Sequence, residues 1–241
     1  MIVFVIAMQS EADPLLSVMT VESDKTVYGR RVITGSLCGK RTAAVVCGVG
    51  KVNAGAGAQY AIDCLGADKI VNIGVAGGLN GLTRVGEIYG ISGAVQYDFD
   101  LVAMNGTKMG TLNEYSEPYL ALQTPAVYPL KKLASADRFN DDKADFELLT
   151  KELKADIRDM EGGAIAHVCR HADIPFCAFK AISDVAGAGS TTEQFFNNLK
   201  LCAEKMKTEI VKIFEAVSDS CDSTAADGCH SAFNGGNEQN G

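Results

Sequence analysis

The ten residues Lys69-Ile-Val-Asn-Ile-Gly-Val-Ala-Gly-Gly78 decide the fold. Their first half, Lys69 to Gly74, is a short apolar run typical of a strand that is buried on both faces of a sheet. Their second half, Gly74 to Gly78, is a glycine cluster, and a strand that runs into a glycine-rich loop is a common ligand-site geometry in α/β proteins. The stretch therefore predicts a buried sheet with a ligand near the end of this strand.

The segments on either side alternate between strand patterns and helix patterns. Apolar, β-branched runs predict strands at 2–7, 26–37, 41–47, 85–97 and 175–182. Apolar residues at helical spacing predict helices from 10 onward and at 52–65, 146–153, 161–171 and 191–217. The irregular polar segment 98–118 is typical of a lid or a subunit contact. This alternation favours an α/β fold with a mixed, twisted central sheet flanked by helices.

The composition changes at Ser218. Residues 218–241 are rich in Ser, Asp, Asn and Gly and contain no Lys or Arg, so they predict a disordered acidic C-terminal tail after one folded domain at 1–217. Such a domain buries roughly 70% of the surface of its unfolded chain and needs no metal or disulfide to be stable. Cys221, Cys229 and His230 in the tail lack paired zinc-ligand spacing, and we expect the tail to be solvated.

Charge and cysteine usage exclude several classes of protein. The chain has 22 Lys and Arg against 30 Asp and Glu, a net charge of -8, which is the wrong sign for binding nucleic acid or an anionic membrane. No apolar run reaches the roughly 18 residues of a membrane span. The N-terminus shows no signal-peptide pattern and the eight cysteines form no CxxC pair, so we expect a cytoplasmic protein with free, buried thiols.

The segment Gly48-Val-Gly-Lys51 is similar to a phosphate-binding loop but matches neither common motif. Walker A needs a glycine five residues before the second glycine and Ser or Thr after the lysine, where this chain has Val45 and Val52. The dinucleotide motif GxGxxG fails because Asn53 stands in place of its third glycine. Neither ATP hydrolysis nor NAD chemistry is therefore supported.

The histidines give a weak signal. His167 and His171 are four residues apart on a predicted helix, a spacing that can bind zinc, but no Glu follows the first histidine as in HExxH. A structural or surface role is therefore favoured. Because there is no GxSxG motif and there are only three histidines, a Ser or Cys nucleophile in a triad is poorly supported.

Three acidic residues stand where an α/β sheet places its ligand. Glu11 follows the first predicted strand, Asp184 follows the strand at 175–182, and Glu161 begins the helix at 161–171, where the helix dipole stabilises an anion. Each of them alone is explained as well by helix capping. Together they predict a site.

Four motifs then occur in order along the chain. They are Gly48-Val-Gly-Lys-Val52, Asn72-Ile-Gly-Val-Ala-Gly-Gly-Leu79, Asp159-Met-Glu-Gly-Gly-Ala-Ile-Ala-His167 and Ala181-Ile-Ser-Asp-Val185. In this order the chain, from residue 1 to about 217, resembles the methylthioadenosine/S-adenosylhomocysteine nucleosidases of the purine nucleoside phosphorylase superfamily. The resemblance implies a cytoplasmic homodimer of methionine salvage that hydrolyses the bond between adenine and ribose, without a metal or an organic cofactor.

The resemblance also implies roles for the three carboxyl groups. A glycosidic bond that breaks through an oxocarbenium-like state needs an acid for the leaving base and a carboxylate that activates water. Asp184 matches the acid that protonates adenine N7, Glu11 matches the carboxylate that orients the water, and Glu161 matches the group that binds the ribose hydroxyls. In the family pattern Phe139 stacks on adenine, Met8 and Met160 lie on the thioether side, and Ser183 supports the acid. The substrate-binding residues that the resemblance implies are Met8, Val49, Gly77, Phe139, Asn140, Met160 and Ser183.

This sequence departs from the family pattern in three places. Val75 stands where Ser or Thr is usual, which removes a polar contact near the water. Gly162-Gly163 replaces larger residues and is expected to weaken the helix start by roughly 0.5–1 kcal/mol per glycine. The loop after Asp184 is shortened, and Thr191 or Thr192 takes the place of the apolar residue expected over the alkylthio group.

Three alternatives stay open. A purine nucleoside phosphorylase would share Glu161 and Asp184, but its relatives carry an arginine where this chain has Asn72 and lack an acidic residue at Glu11, which would repel phosphate. A hydrolase of another purine nucleoside, such as futalosine, would differ only in the residues that line the pocket. A non-catalytic purine-binding module would have lost a catalytic carboxylate, and this chain keeps all three.

Overall fold

The computed structural model describes residues 1–79 and 81–219. Their strands are β1 (Ile2–Ile6), β2 (Thr20–Val27), β3 (Arg30–Leu37), β4 (Lys40–Val46), β5 (Lys69–Gly78), β6 (Ile88–Gln96), β7 (Leu120–Ala121), β8 (Leu130–Ser135), β9 (Ile157–Asp159) and β10 (Phe176–Val185). Their helices are α1 (Gln9–Leu16), α2 (Lys51–Leu65), α3 (Val102–Asn105), α4 (Lys143–Glu147), α5 (Gly162–His171) and α6 (Thr191–Asp219), and a π-helical turn (Leu148–Glu152) follows α4.

All these strands belong to one mixed sheet. β1 lies parallel between β4 and β5, and β3 and β2 extend the sheet beyond β4 in antiparallel pairing. On the other side β5, β9, β8, β6 and β10 pair in turn, and β10 pairs back onto β5, which closes these five strands into a ring. Because β5 and β10 are parallel, their carboxyl ends meet at the same mouth of the ring.

Helices cover both faces of the sheet, and β1 shows why its sequence is apolar at every position. Phe4 packs with α1 and α6 on one face, where its ring lies 6.4 Å from that of Phe214. Val3 and Val5 pack on the other face with alanines of α2. A strand buried on both faces needs an unbroken apolar run rather than an alternating one. The predicted α/β class with a mixed sheet is confirmed.

Several predicted boundaries were wrong. The strand expected at 26–37 is interrupted by a turn at Tyr28 and Gly29, whose φ angles of 48° and 76° fit the tight turns that join twisted antiparallel strands. The helix expected at 146–153 is split between α4 and the π-helical turn. The glycine cluster is not a loop, because β5 runs through Gly78, paired with β9 and β10.

The end of the domain also differs from the prediction. α6 continues to Asp219 and Ser218 is buried, so the helix runs two residues beyond the expected boundary at Val217. The Nζ of Lys69 donates a 2.8 Å hydrogen bond to the carbonyl of Val217, which anchors the last turn to β5. The rest of the predicted disordered tail, 220–241, lies outside the described residues.

Cysteines and membrane segments can be checked within the described part of the chain. Its six cysteines are free thiols, of which Cys47, Cys169, Cys177 and Cys202 are buried and Cys38 and Cys64 are exposed. The expectation of buried thiols therefore holds for four of the six. Among the described helices, none has the length and apolar composition needed to cross a membrane.

Candidate active site

A cavity of about 490 Å³ opens at the mouth of the strand ring, a volume typical of small-ligand sites. Nine of the ten site residues predicted from the sequence line it, namely Met8, Glu11, Val49, Gly77, Phe139, Met160, Glu161, Ser183 and Asp184. It is also lined by residues that were not predicted as site residues, namely Ala7, Val75, Ala76, Arg158, Asp159, Thr192, Phe195 and Phe196. The structure thus brings together residues that are up to 189 positions apart, from Ala7 to Phe196 (196 − 7).

Asn140 is the one predicted residue that the structure does not place in the cavity lining. Its Nδ2 donates a 2.9 Å hydrogen bond to Asp145, and its Oδ1 accepts from the backbone N–H of Asp142. These contacts use the Asn140 amide to order the turn that leads into α4. Its expected role in substrate binding therefore has no support from its position.

Glu11 lies in the first turn of α1 and is buried. Its Oε1 accepts from the N–H of Val75 at 2.8 Å, and its Oε2 accepts from the N–H of Met8 at 3.1 Å. Burial raises the pKa of Glu11, against the lowering effect of Lys180 and of these two hydrogen bonds. Gly74 leaves the space for it, because a Cβ at Gly74 would lie 2.6 Å from Oε1.

Glu161 directly precedes α5, and its carboxylate is held by the backbone that leads into α2. Its Oε1 accepts a 2.9 Å hydrogen bond from the N–H of Gly50. Gly50 has a φ of 101°, a conformation open to glycine, and this lets its N–H point at the carboxylate. Burial and then the charge of Asp159 raise the pKa of Glu161 to about 7, against the lowering effect of Lys180. Glu161 therefore changes charge near neutral pH.

Asp184 lies inside β10, and not beyond its end as the sequence pattern suggested. The pairing of β10 with β5 shifts register between Ile182 and Asp184, a bulge of the kind that redirects side chains beside active sites. Ser183 donates a 2.8 Å hydrogen bond to Oδ1 of Asp184. Burial raises the pKa of Asp184, and the Ser183 hydrogen bond and Arg158 oppose this shift.

A buried ion pair lies beside Glu11 and Glu161 and interacts electrostatically with both. Nζ of Lys180 lies 2.9 Å from Oδ2 of Asp159, and both side chains are almost fully buried. Burial alone would lower the pKa of Lys180, but the charges of Asp159, Glu161 and Glu11 raise it. A lysine in the middle of a strand predicted to be buried was the sequence signal for this pair, because a buried ammonium group requires an anionic partner.

The two glycines at the start of α5 fit a tightly packed site. Asp159 accepts a 3.0 Å hydrogen bond from the N–H of Gly162, and Ser135 accepts one from Gly163. A Cβ at Gly162 would lie 2.4 Å from Cδ2 of Leu133, so a larger residue would clash in this chain. These glycines allow α5 to approach the sheet, and the weakening of the helix start that they are expected to cause stays a prediction.

An aromatic cluster from α6 corrects the expectation that a threonine replaces the apolar cover of the pocket. Thr192, Phe195 and Phe196 all line the cavity, because residues i, i+3 and i+4 share one face of a helix. The ring of Phe195 lies 5.5 Å from that of Phe139 in an edge-to-face arrangement. Thr192 is therefore accompanied by two phenyl rings at the entrance.

The family model described as the phosphorylase superfamily matches residues 1–218. The chain belongs to the phosphorylase superfamily. This superfamily member is 31% identical over 195 residues to a 5'-methylthioadenosine/S-adenosylhomocysteine nucleosidase of Halalkalibacterium halodurans, covering 76% of this chain and 84% of that relative. It is 26% identical over 238 residues to the Arabidopsis thaliana protein of the same name, covering 91% and 92% of the two chains.

Solved structures show the same fold. The Helicobacter pylori nucleosidase of that name with butyl-thio-DADMe-Immucillin-A matches with a TM-score of 0.79 and 25% identity, over 91% of this chain and 97% of that one. The futalosine hydrolase of Helicobacter pylori matches with a TM-score of 0.80 and 24% identity over the same shares. The resemblance and the nucleoside phosphorylase-like fold inferred from the sequence are confirmed for this phosphorylase-superfamily chain.

The site of this superfamily member combines three buried carboxyl groups with an apolar wall. Burial raises the pKa values of Asp184, Glu161 and Glu11 alike, and two backbone N–H bonds to the Glu11 carboxylate oppose that rise. Methionine and phenylalanine side chains complete the lining. Such a cavity can protonate a leaving base on one side of a bound nucleoside and orient water on the other.

Proposed function

We propose that this enzyme hydrolyses the N-glycosidic bond of 5'-methylthioadenosine and S-adenosylhomocysteine, releasing adenine and the thio-ribose product. The observation that carries the proposal is the meeting of Glu11, Glu161 and Asp184 in one cavity, in a chain whose relatives bear that activity in their names. The chemistry follows from how each carboxyl group is held.

Asp184 is the general acid. Burial raises its pKa, and the Ser183 hydrogen bond to Oδ1 leaves Oδ2 to carry a proton toward adenine N7. Protonation makes the base a better leaving group, and general acid catalysis of this kind contributes about 10²- to 10⁴-fold in rate. Phe139, at the cavity entrance, stacks on the adenine ring and fixes its orientation.

Glu11 orients the attacking water. Two backbone hydrogen bonds fix its carboxylate, and these leave lone pairs on both oxygens for water. Glu161 accepts hydrogen bonds from the ribose hydroxyls and stabilises the positive charge that grows on the sugar. Val75 stands where Ser or Thr is usual, so its side chain has no hydroxyl group to bind the water. Its backbone N–H donates a hydrogen bond to Glu11.

The apolar residues select the 5' substituent. Met8 and Met160 lie along the lining, and sulfur-containing side chains adapt well to irregular apolar ligands. Phe195 and Phe196 contribute apolar surface at the same cavity. The thioether sulfur that both proposed substrates carry next to the ribose fits this apolar wall, because the sulfur bears no charge that needs solvation.

We further propose that the enzyme is a cytoplasmic homodimer of methionine salvage. Met104, on the segment 98–118, is 70% exposed, and Val102 on the same short helix is 45% exposed. Exposed apolar side chains on an irregular segment favour a subunit contact, with Met104 or a neighbour reaching the partner's pocket. Light scattering at micromolar concentration should give twice the chain mass, and a fully active monomer would contradict the dimer.

Adenine release tests the reaction. The purified chain should release adenine from 5'-methylthioadenosine and S-adenosylhomocysteine at equal rates with and without phosphate. A requirement for phosphate would make it a phosphorylase. Faster release of the purine from futalosine than from either thio-nucleoside would assign it to that other hydrolase, and binding of nucleosides without any cleavage would make it a purine-binding module.

Two variants separate the acid from the base. Asp184→Asn should lower turnover at least about 10²-fold while a substrate-like inhibitor still binds. Glu11→Gln should also lose turnover, but added methanol or azide should restore part of the cleavage, since protonation of the base remains possible. A variant that keeps turnover within about threefold of the parent would remove the role assigned to that residue.

A further inference from the structure

The two histidines of α5 form a cluster outside the cavity with an acid from a distant part of the chain. Oε1 of Glu114 lies 2.5 Å from Nε2 of His167 and 2.8 Å from Nε2 of His171. These three possible ligand atoms all lie within 4.8 Å of one another. Within the described residues this is the one group of three or more His, Cys, Asp or Glu side chains placed to hold a metal ion.

The helix explains why this cluster forms and why it is separate from the catalytic groups. Residues four apart share one face of a helix, so His167 and His171 point the same way. They follow Glu161 by 6 and 10 residues, which places them about 9 and 15 Å along the helix axis from it. Tyr115, next to Glu114 in the chain, lies 6.2 and 6.1 Å from the two imidazole rings.

We propose that Glu114, His167 and His171 bind a divalent transition metal, of which zinc fits the ligand set best. Two imidazole nitrogens and one carboxylate oxygen are a common zinc donor set, with water in the fourth position. The side chains of Glu114 and His171 are 40% and 56% exposed, so solvent can supply that water. The sequence lacked the HExxH glutamate, and the fold supplies the acid from 53 residues earlier (167 − 114) instead.

Small movements suffice to admit the ion. Ligand atoms about 2.0–2.2 Å from a tetrahedral zinc lie about 3.4 Å from each other, so Oε1 of Glu114 has to withdraw by less than about 1 Å from each imidazole. Glu114 is on the segment 98–118, outside the regular strands and helices, and its side chain is partly exposed.

A second hydrogen bond positions one of the ligands. Nδ1 of His167 lies 3.3 Å from the side-chain amide of Gln96 at the end of β6. When Nε2 binds a metal, Nδ1 carries the ring proton, and the amide can present its oxygen to that proton by rotating about its last bond. Outer partners of this kind orient metal-bound histidines and support their affinity.

The site would join the segment 98–118 to α5. Asp98, where this segment begins, already forms an ion pair with Lys51 and accepts from the backbone N–H of Asp137. A metal at Glu114 would hold the same segment at a second point, 16 residues further on (114 − 98). Its binding therefore stabilises the folded chain without taking part in the cleavage chemistry.

Zinc titration of the full-length chain, followed by calorimetry, tests the proposal. The parent should bind one zinc per chain at this site, and Glu114→Gln and His171→Asn should each weaken that binding at least about tenfold. Glu117→Gln is the matched control, since it removes an exposed acid of the same segment that pairs with Lys108 instead. Circular dichroism should show that each variant remains folded.

Cobalt in place of zinc separates this site from the cysteines of the tail. We expect a d–d spectrum of nitrogen and oxygen ligands without a thiolate charge-transfer band, and the same spectrum from a Cys221→Ser, Cys229→Ser chain. Failure of the parent to bind zinc would overturn the proposal. So would binding that Glu114→Gln and His171→Asn leave within about threefold of the parent, or a cobalt spectrum dominated by thiolate.

Discussion

Replacement of Gly77 by alanine tests how closely the acid is positioned. A Cβ at Gly77 would lie 2.7 Å from Oδ2 of Asp184 and 3.3 Å from Nε of Arg158. Ordinary contacts of a Cβ begin near 3.4 Å, so the carboxyl group has to move by about 0.7 Å (3.4 − 2.7). The displaced oxygen is the one that we propose to carry the proton to N7.

The expected loss follows from the size of that movement. Misplacing a catalytic group by about 1 Å costs on the order of 10²-fold in rate, so Gly77→Ala should lower kcat about 10- to 100-fold. The substrate is held mainly by other residues, and KM should change much less than kcat. Because the displaced atom is a side-chain carboxyl group rather than backbone, the variant should still fold.

The assay compares adenine release by Gly77→Ala and by Gly55→Ala. A Cβ at Gly55 on α2 would meet Cγ2 of Val168 at 3.7 Å, an ordinary contact, and alanine in a helix stabilises by roughly 0.5–1 kcal/mol. Gly55→Ala should therefore keep full turnover and a slightly higher Tm. If Gly77→Ala keeps turnover within about threefold of the parent, the position of Asp184 does not limit the reaction.

Four further predictions follow from burial and charge. The pKa of Glu161 is about 7 against an ordinary 4.5, so between these pH values the folded chain binds more protons than the unfolded chain, and the free energy of unfolding falls as the pH rises. Glu161→Gln removes this titration. In urea titrations the variant should lose less unfolding free energy than the parent between pH 5 and 8, by up to about 3 kcal/mol. Lys180→Met leaves Asp159 buried without its partner and should lower the free energy of unfolding by about 3–5 kcal/mol in the same titrations. An unchanged free energy of unfolding would show that the ion pair does not stabilise the fold. A chain that ends at Asp219 should keep the Tm and activity of the full chain, and a drop of several degrees in calorimetry would show that the tail packs on the domain. Phe139→Ala should raise KM for adenine nucleosides more than it lowers kcat, and an unchanged KM would remove its stacking role.

Local patterns in the sequence were sufficient to predict the core strands and the positions of Glu11 and Glu161, whereas Asp184 lies inside β10 rather than beyond its end. β1 is an unbroken apolar run because helices cover both of its faces, and that burial is visible in composition alone. Glu11 and Glu161 could be found because each lies at the junction of a strand or loop with a helix. Such junctions depend on neighbouring residues and can be recognised without the tertiary fold.

Long-range pairing was not predictable in this way. β8 and β9 are short strands whose residues become buried only when β6 and β5 lie beside them. The glycines of β5 were expected to form a loop, but their lack of side chains makes space for carboxyl groups from α1 and β10. The requirement for glycine arises from partners about 60 and 107 residues away (74 − 11 = 63; 184 − 77 = 107), which no local pattern reveals.

The buried ammonium group of Lys180 lies among the carboxyl groups of Asp159, Glu161 and Glu11, and it lowers the pKa of Glu161 and of Glu11 against the effect of burial. Lys180 is closest to Asp159, at 2.9 Å, so its charge is partly balanced there, and the pKa of Glu161 still rises to about 7. Positive charge on the ribose favours the ionised form of such a group. An interaction with Glu161 is therefore weaker with the neutral substrate and stronger as the glycosidic bond breaks, which is the condition for lowering the barrier and not merely tightening binding.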